Sequence, residues 1–440
     1  MGVDVVVQSQ NAQGLIRYAQ MASDPSSPMY RHFLTPQEVG DRYGATLRDY
    51  TDAAQYFARH GLHVGGWPQR QALFVAGTQA ALESAFGTTF GLYEKNGQKF
   101  VAPMSQPHFA QVLPVTGVAH LVTARTMHTY NIPVRAGNGT FAGYSPQQIQ
   151  NAFDYSGAYK AGFDGTGITV GIIGTGGISA KDVPFYGKLF GARVATVTEA
   201  PVTDSGEAAG LAQAGVPTPN PNPSASPQAP YAYSDPGLAT PPPVTPPCGT
   251  PPYASILPTA TCNPEDGEAQ LDTEQIAALA PGSAVSFYLA FNPADCAGAN
   301  SGACNAVNPG AIGVQGLFIA DDEIAQAIAD NTSDSVSLSY GGGEVDDVGL
   351  VFDGNGVGYE PMEFAALAAE GIAVFVSSGD TGAEECSNAG APCVSYPSGD
   401  PNVTSVGGIT ASLNSFGQPT SQFTAWGYQT HGGFSGSGGG

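Results

Sequence analysis

GTGITVGIIGTGG, residues 165–177, is the stretch on which the fold class turns. Its centre is an unbroken run of β-branched and apolar residues that passes straight into glycines. A strand apolar on both sides must be covered on both faces, as strands of a parallel sheet are, and the glycines supply a tight turn. The pattern repeats toward the C-terminus: SAVSFYLAF (283–291), a helical DDEIAQAIADN (321–331), SDSVSLSYGGG (333–343), a helical PMEFAALAAEG (361–371), IAVFVSSGD (372–380) and VTSVGGI (403–409). Alternating strands and helices predict an α/β domain with a parallel sheet and flanking helices, whose chemistry sits beyond the C-terminal strand ends. At its start, YSPQQIQNAF (144–153) places Ser145 and Pro146 as N-cap and first helical residue.

Toward the N-terminus, residues 1–127 read as a compact α+β unit. VDVVV (3–7) and ALFVAG (72–77) are strand-like, while 13–23, 48–60 and 78–87 have helical spacing. Residues 128–143 read as an exposed connector. The stretch from about 200 to 264 is rich in Pro, Ala, Ser and Thr and is expected to be a surface insertion without a core element.

Charge is unevenly placed. Residues 1–140 hold 10 Lys and Arg against 8 Asp and Glu, whereas residues 141–440 hold 4 against 29, with no Lys or Arg after Arg193. So acidic a surface repels nucleic acid and anionic lipid, which excludes both as expected partners. It suits work in acid, where carboxylates are protonated, and a mildly basic segment ahead of an acidic one predicts docking of the two. No stretch approaches the roughly 18–20 apolar residues of a membrane-spanning helix.

Six cysteines fall as sequence-local pairs, 248 with 262, 296 with 304, and 386 with 393, among 15 possible connectivities. None has zinc-type spacing, so disulfides and an oxidising, extracellular setting are expected, and no metal site is predicted. The opening MGVDVVVQSQ has neither the basic n-region nor the apolar h-region of a signal peptide.

Of seven histidines, only His431 lies in the second half, so a Ser-His-Asp triad has little to draw on there. Carboxyls are the alternative. In GEAQLDTEQIAALAPG (267–282), Glu268 and Asp272 stand at i and i+4 of a predicted helix, on one face and within reach of each other. Two such groups cannot both ionise easily, so one is expected to hold a proton; a Glu tuned this way can serve as a base toward a serine hydroxyl. In IAVFVSSGDTG (372–382), a buried-type strand ends at Asp380 in a glycine turn, where a protonated acid can donate to an oxyanion. SLSYGGGE (337–344) ends a strand in glycines and suits pairing with an extended peptide, with Ser339, Tyr340 and Gly341 as candidate substrate-binding residues.

These segments, in this order, resemble the sedolisin family of serine-carboxyl peptidases. SDPSSPMYRHFLTPQE (23–38) and VAGTQAALESAFGTTFGLY (75–93) are similar to its inhibitory pro-segment, and the later motifs with YPSGDPNVTSVGGI and Trp426 to its catalytic domain. The resemblance implies a ferredoxin-like α+β pro-domain over residues 1–135, a connector at 136–143, and a subtilisin-like peptidase domain over 144–440 whose C-terminal part lies outside the chain. It implies Glu268 as general base, Asp272 as its orienting partner and Asp380 as the oxyanion acid. Gly174 stands where ordinary subtilisins carry their triad aspartate, and Tyr340 where the family more often has Trp. The nucleophile is expected two residues beyond Gly440, in the glycine run begun by SGSGGG, with Ser435 as the competing choice. A Ca2+ site is implied for full-length relatives only, on residues further on, so no cofactor is expected in this chain. Peptide substrates, the chain's own pro-domain as partner and a secreted monomer complete that expectation. The rival readings are a carboxylate-pair hydrolase such as a glycosidase, and a noncatalytic secreted binding protein displaying the Pro-rich insertion.

Overall fold

The computed structural model describes residues 2–95, 98–122, 128–129, 143–174, 178, 182–202, 204–217, 267–289, 315–344, 358–386, 392–430 and 433–439. The front unit runs β1 (Gly2–Val7), α1 (Ala12–Ser23), α2 (Pro36–Arg42), α3 (Leu47–Arg59), β2 (His63–Gly66), β3 (Ala72–Ala76), α4 (Gln79–Phe86), the hairpin β4 (Phe90–Lys95) and β5 (Gln98–Pro103), and β6 (Val115–Ala119). Its antiparallel sheet has the order β2-β3-β1-β6. Local chemistry sets the helix limits: Asn11, Thr35, Thr46 and Thr78 each accept a backbone N–H at a helix start, and α4 ends on Gly87 at φ 57°.

The short β7 (His128–Thr129) follows, then α5 (Pro146–Ala152), α6 (Tyr155–Lys160), β8 (Thr169–Ile173), α7 (Asp182–Phe190), β9 (Thr196–Pro201), α8 (Asp204–Gln213), α9 (Gly267–Leu279) and β10 (Ala284–Leu289). Beyond these come α10 (Gln315–Asp330), β11 (Ser335–Leu338), β12 (Tyr340–Gly343), α11 (Tyr359–Glu370), β13 (Ala373–Ser377), β14 (Ser395–Tyr396), β15 (Thr404–Val406), β16 (Ile409–Thr410), β17 (Thr424–Ala425), β18 (Gly427–Thr430) and β19 (Gly433–Gly436). As the alternation predicts, six strands form a parallel sheet in the order β15-β13-β11-β8-β10-β9. Both faces are covered: Ile172 and Phe287 pack with α7 and α9, while their neighbours Ile173 and Tyr288 pack with α10 and α11. Ser145 and Pro146 cap α5, with Gln148 closing a capping box. Among the described residues, no helix is long and apolar enough to cross a membrane.

The two sheets share their middle layer. Leu15, Ala19 and Ala22 of α1 lie in one core cluster with Ala365, Ala366 and Ala369 of α11, where small side chains permit close approach. Polar contacts complete the seam: Gln71 Nε2 donates to Met362 O at 2.9 Å, Gln69 Nε2 to Ala325 O at 3.0 Å, and Leu34 N to Ala369 O at 3.0 Å.

Three sequence expectations need correction. The Pro-rich stretch does contain a core element, because α8 lies inside it and Leu211, Ala214 and Val216 join the front unit's core. Residues 204–214 are rich in Ala and free of Pro, so helix propensity prevails locally over the composition of the longer segment. The buried Arg70 fastens it, reaching Ala214 O at 3.4 Å, Ala45 O at 2.9 Å and the Asp41 carboxylate at 2.7 Å. The connector is not wholly free, since β7 pairs antiparallel with β12. Residues 333–343 form two strands in different sheets, broken at Ser339. Cys386 and Cys393 form the expected disulfide, while the other four cysteines lie outside the described residues. Leu211→Ala is expected to cost about 2–5 kcal/mol in chemical denaturation; a change within about 0.5 kcal/mol would show that α8 is not part of that core.

Candidate active site

Helix α9 starts on Gly267 and carries Glu268 and Asp272 one turn apart, beside the C-terminal end of β11. Glu268 is buried and its Oε2 has no hydrogen-bond partner; Asp272 is half-buried. Burial, then the neighbouring Asp272 and Asp380 carboxyls, push Glu268 up to about 8. Asp272 is pushed up to about 6 by burial, against the opposing effect of hydrogen bonding to Ser339 and Glu268. Glu268 is raised further than Asp272, so a proton is held within the pair. Ser339, at the break between β11 and β12, interacts with both carboxyls.

Asp380 follows β13 in a turn whose Gly379 has φ 94°, a conformation that glycine adopts without steric cost. Burial, then Glu385, raises Asp380 to about 6. Glu385 accepts from Thr381 N at 2.7 Å and packs over Gly379, so its charge is fixed beside the turn. The last described residues lie along the same turn. Gly436 N donates to Asp380 O at 2.8 Å, Gly382 N to Gly436 O at 2.9 Å, and Gly438 N to Gly379 O at 3.2 Å. Ser437 Oγ accepts from Gly408 N at 2.8 Å and lies 3.3 Å from Ser378 Oγ. Ser435 pairs with Tyr428 in the β18–β19 hairpin, one residue before the Asp380 contact.

Glu268, Asp272, Asp380 and Ser339 are thus brought together from positions far apart in the chain. Gly341 pairs with His128 and Tyr340 with Thr129 across the β12–β7 ladder. The Tyr340 ring lies within the core beneath, 4% exposed, so it lines no open surface. Gly174 N donates to the buried Glu323 Oε2 at 3.1 Å, so a carboxyl from α10 stands close to that strand end; neither Glu323 nor the Ser437 contacts were foreseen.

Residues 1–119 match the family model described as the pro-kumamolisin activation domain. Sedolisin from Pseudomonas sp. (strain 101) is 25% identical over 429 residues, 94% of this chain and 60% of that protein. The chain is similar to sedolisin over most of its own length. It spans about 60% of that relative's length. Among solved structures, Pseudomonas sedolisin complexed with two molecules of pseudo-iodotyrostatin is similar at 24% identity and a TM-score of 0.42, covering 69% of this chain and 64% of that one. The MycP3 protease from the type VII (ESX-3) secretion system is similar at 15% identity and a TM-score of 0.27, over 67% of this chain and 65% of that one.

The raised carboxyls have a thermodynamic signature in this chain. Folded Glu268 releases its proton near pH 8, whereas its ordinary value is 4.5. Between those pH values unfolding releases protons, so stability is greatest below about 4.5 and falls as pH rises through about 8. Urea unfolding at pH 5 and pH 8 is expected to show a smaller loss for Glu268→Gln than for the parent, by on the order of 3 kcal/mol. Equal losses in the two proteins would contradict a raised Glu268.

Proposed function

We propose that this chain belongs to the zymogen of an acid-acting serine endopeptidase, in which Glu268 is the general base, Asp272 positions it and Asp380 donates to the oxyanion. The observation that carries the reading is the buried Glu268, holding a proton under the joint influence of Asp272 and Asp380 at a parallel-sheet strand end. The match of the front unit to an activation domain supports a precursor, and the homology to sedolisin supports a peptidase.

The chemistry runs as acyl transfer. Glu268, once ionised, takes the proton of a serine hydroxyl as its oxygen attacks the scissile carbonyl. The Asp380 acid donates to the carbonyl oxygen as it gains charge, and Glu268 then passes its proton to the leaving amine. Water repeats the sequence to release the acyl group. With Glu268 raised to about 8 and Asp272 to about 6, both carboxyls favour the protonated form at pH 5 and neither is then a base. Burial is the first cause of both shifts, so any opening that admits water to the pair lowers both and frees the base. The pairing of β7 with β12 is consistent with this, since it lays the start of the connector along the strand beside Ser339. In a secreted enzyme, an extended peptide substrate would take that place.

Within residues 1–440 the candidate nucleophile is Ser435. The Ca2+ implied by the resemblance would need a set of oxygen donors. Among the described residues the group suited to a metal ion is Asp4, His120 and Asp321, whose imidazole does not suit Ca2+, and no catalytic step is routed through it.

Peptide hydrolysis at pH 3–5, with fragments followed on gels, tests the reading. An active form is expected to release a front fragment of roughly 140 residues and to hydrolyse peptides. Glu268→Gln is expected to slow kcat about 10²–10⁴-fold. Unchanged kcat in Glu268→Gln would overturn the assignment of the base. Activity of the 440-residue chain that Ser435→Ala abolishes would make Ser435 the nucleophile.

A further inference from the structure

β1 contains one charged residue among valines, and that residue, Asp4, is wholly buried. Its direction follows from strand alternation. Val3, Val5 and Val7 enter the front unit's core, while Val6 packs with Tyr359 and Met362 of α11, so Asp4 points toward the peptidase sheet's helices. The register sets Asp4 opposite Ala119, and His120 follows directly. From the other side of the seam comes Asp321 of α10. His120 Nε2 lies 2.8 Å from Asp321 Oδ2 and 3.5 Å from Asp4 Oδ2, and one donor atom from each residue lies within 4.8 Å of the other two.

All three side chains are buried, and neither oxygen of Asp4 has a hydrogen-bond partner. His120 Nε2 has one proton at most to offer, and Asp321 stands at hydrogen-bonding distance to take it. Asp322 adds another buried carboxyl whose Oδ1 has no partner, within electrostatic reach of Asp4. An orphaned buried carboxylate beside further carboxyls is unfavourable unless a cation or protons compensate it.

We propose that Asp4, His120 and Asp321 bind one divalent transition-metal ion of the Zn2+ class, clamping the front unit to α10. One imidazole and two carboxylates form a mixed nitrogen and oxygen donor set that suits such an ion better than Ca2+ or Mg2+. Donor atoms about 2.0–2.2 Å from a tetrahedral Zn2+ stand about 3.3 Å apart. The 3.5 Å separation of His120 and Asp4 already fits. The 2.8 Å contact to Asp321 is a hydrogen bond that opens slightly when the ion replaces the Nε2 proton, leaving imidazole protonated on Nδ1. Because Asp4 and His120 come from the front unit and Asp321 from the body, one ion crosslinks the two without a covalent bond. This clamp is distinct from the carboxyl pair on α9 and stands whether or not that pair is catalytic.

The test is titration of the tag-free 440-residue chain, stripped with EDTA and held at neutral pH, with Zn2+ alone in a calorimeter. One ion per chain with Kd of about 1 μM or tighter, together with a rise in Tm, is the expected result. His120→Gln and Asp321→Asn are each expected to weaken binding at least about 10-fold, whereas His60→Gln, which removes a partly exposed ring beside Ser84, leaves it unchanged. Near-UV circular dichroism checks that each variant remains packed. If the His120 and Asp321 variants fail to fold, Asp4→Asn is titrated in their place, with the same weakening expected. No uptake by the parent chain at about 100 μM Zn2+, or equal affinity in a folded ligand variant, would overturn the proposal and leave a hydrogen-bonded triad only.

Discussion

Two carboxyls one helical turn apart, in a place with little water, cannot both be ionised. That constraint at Glu268 and Asp272 governs the rest of the site. It raises both carboxyls, Glu268 the further, so that a proton is held within the pair. It also draws Ser339 and Asp380 into the same electrostatic unit. The fold supplies each part from a different element: the first turn of α9, the break after β11 and the glycine turn after β13. Strand ends of a parallel sheet converge in this way because every crossover helix returns the chain to the same edge.

The front unit is built into the parallel-sheet layer rather than resting on it. Its helix α1 shares a core with α11, its glutamines satisfy carbonyls of the parallel-sheet layer, and α8 from the later chain completes its own core. Removing it exposes apolar surface and opens buried polar contacts on both sides. Such an interface separates only when its electrostatic terms change, and carboxyl-rich seams are where protons or metal ions make that change. The β7–β12 ladder links this docking to the candidate substrate strand.

What the sequence carried, it carried through periodicity and local chemistry. The apolar run at 169–173 became the central β8, the Ser145–Pro146 signal became a capped helix, and the i, i+4 spacing put Glu268 and Asp272 on one helix face. Asp380 was legible because a charged residue closed a buried strand in glycines. The Asp4–His120–Asp321 group was not legible, since its members lie far apart in sequence and only sheet register and domain docking bring them together. The lone charge in VDVVV was its one trace. Helix α8 was hidden because the prolines that follow dominate the composition of the segment around it. The break at Ser339 was hidden because glycines extend a strand pattern as readily as they end it.

The most direct test of the account is infrared difference spectroscopy of the carboxyl carbonyl band, parent minus Glu268→Gln, across a pH titration. The account predicts a protonated carboxyl band present in the difference at pH 7 that is lost as pH rises through about 8. A difference at pH 7 showing only ionised carboxylate would contradict the proton held between Glu268 and Asp272, and with it the basis of the proposed site.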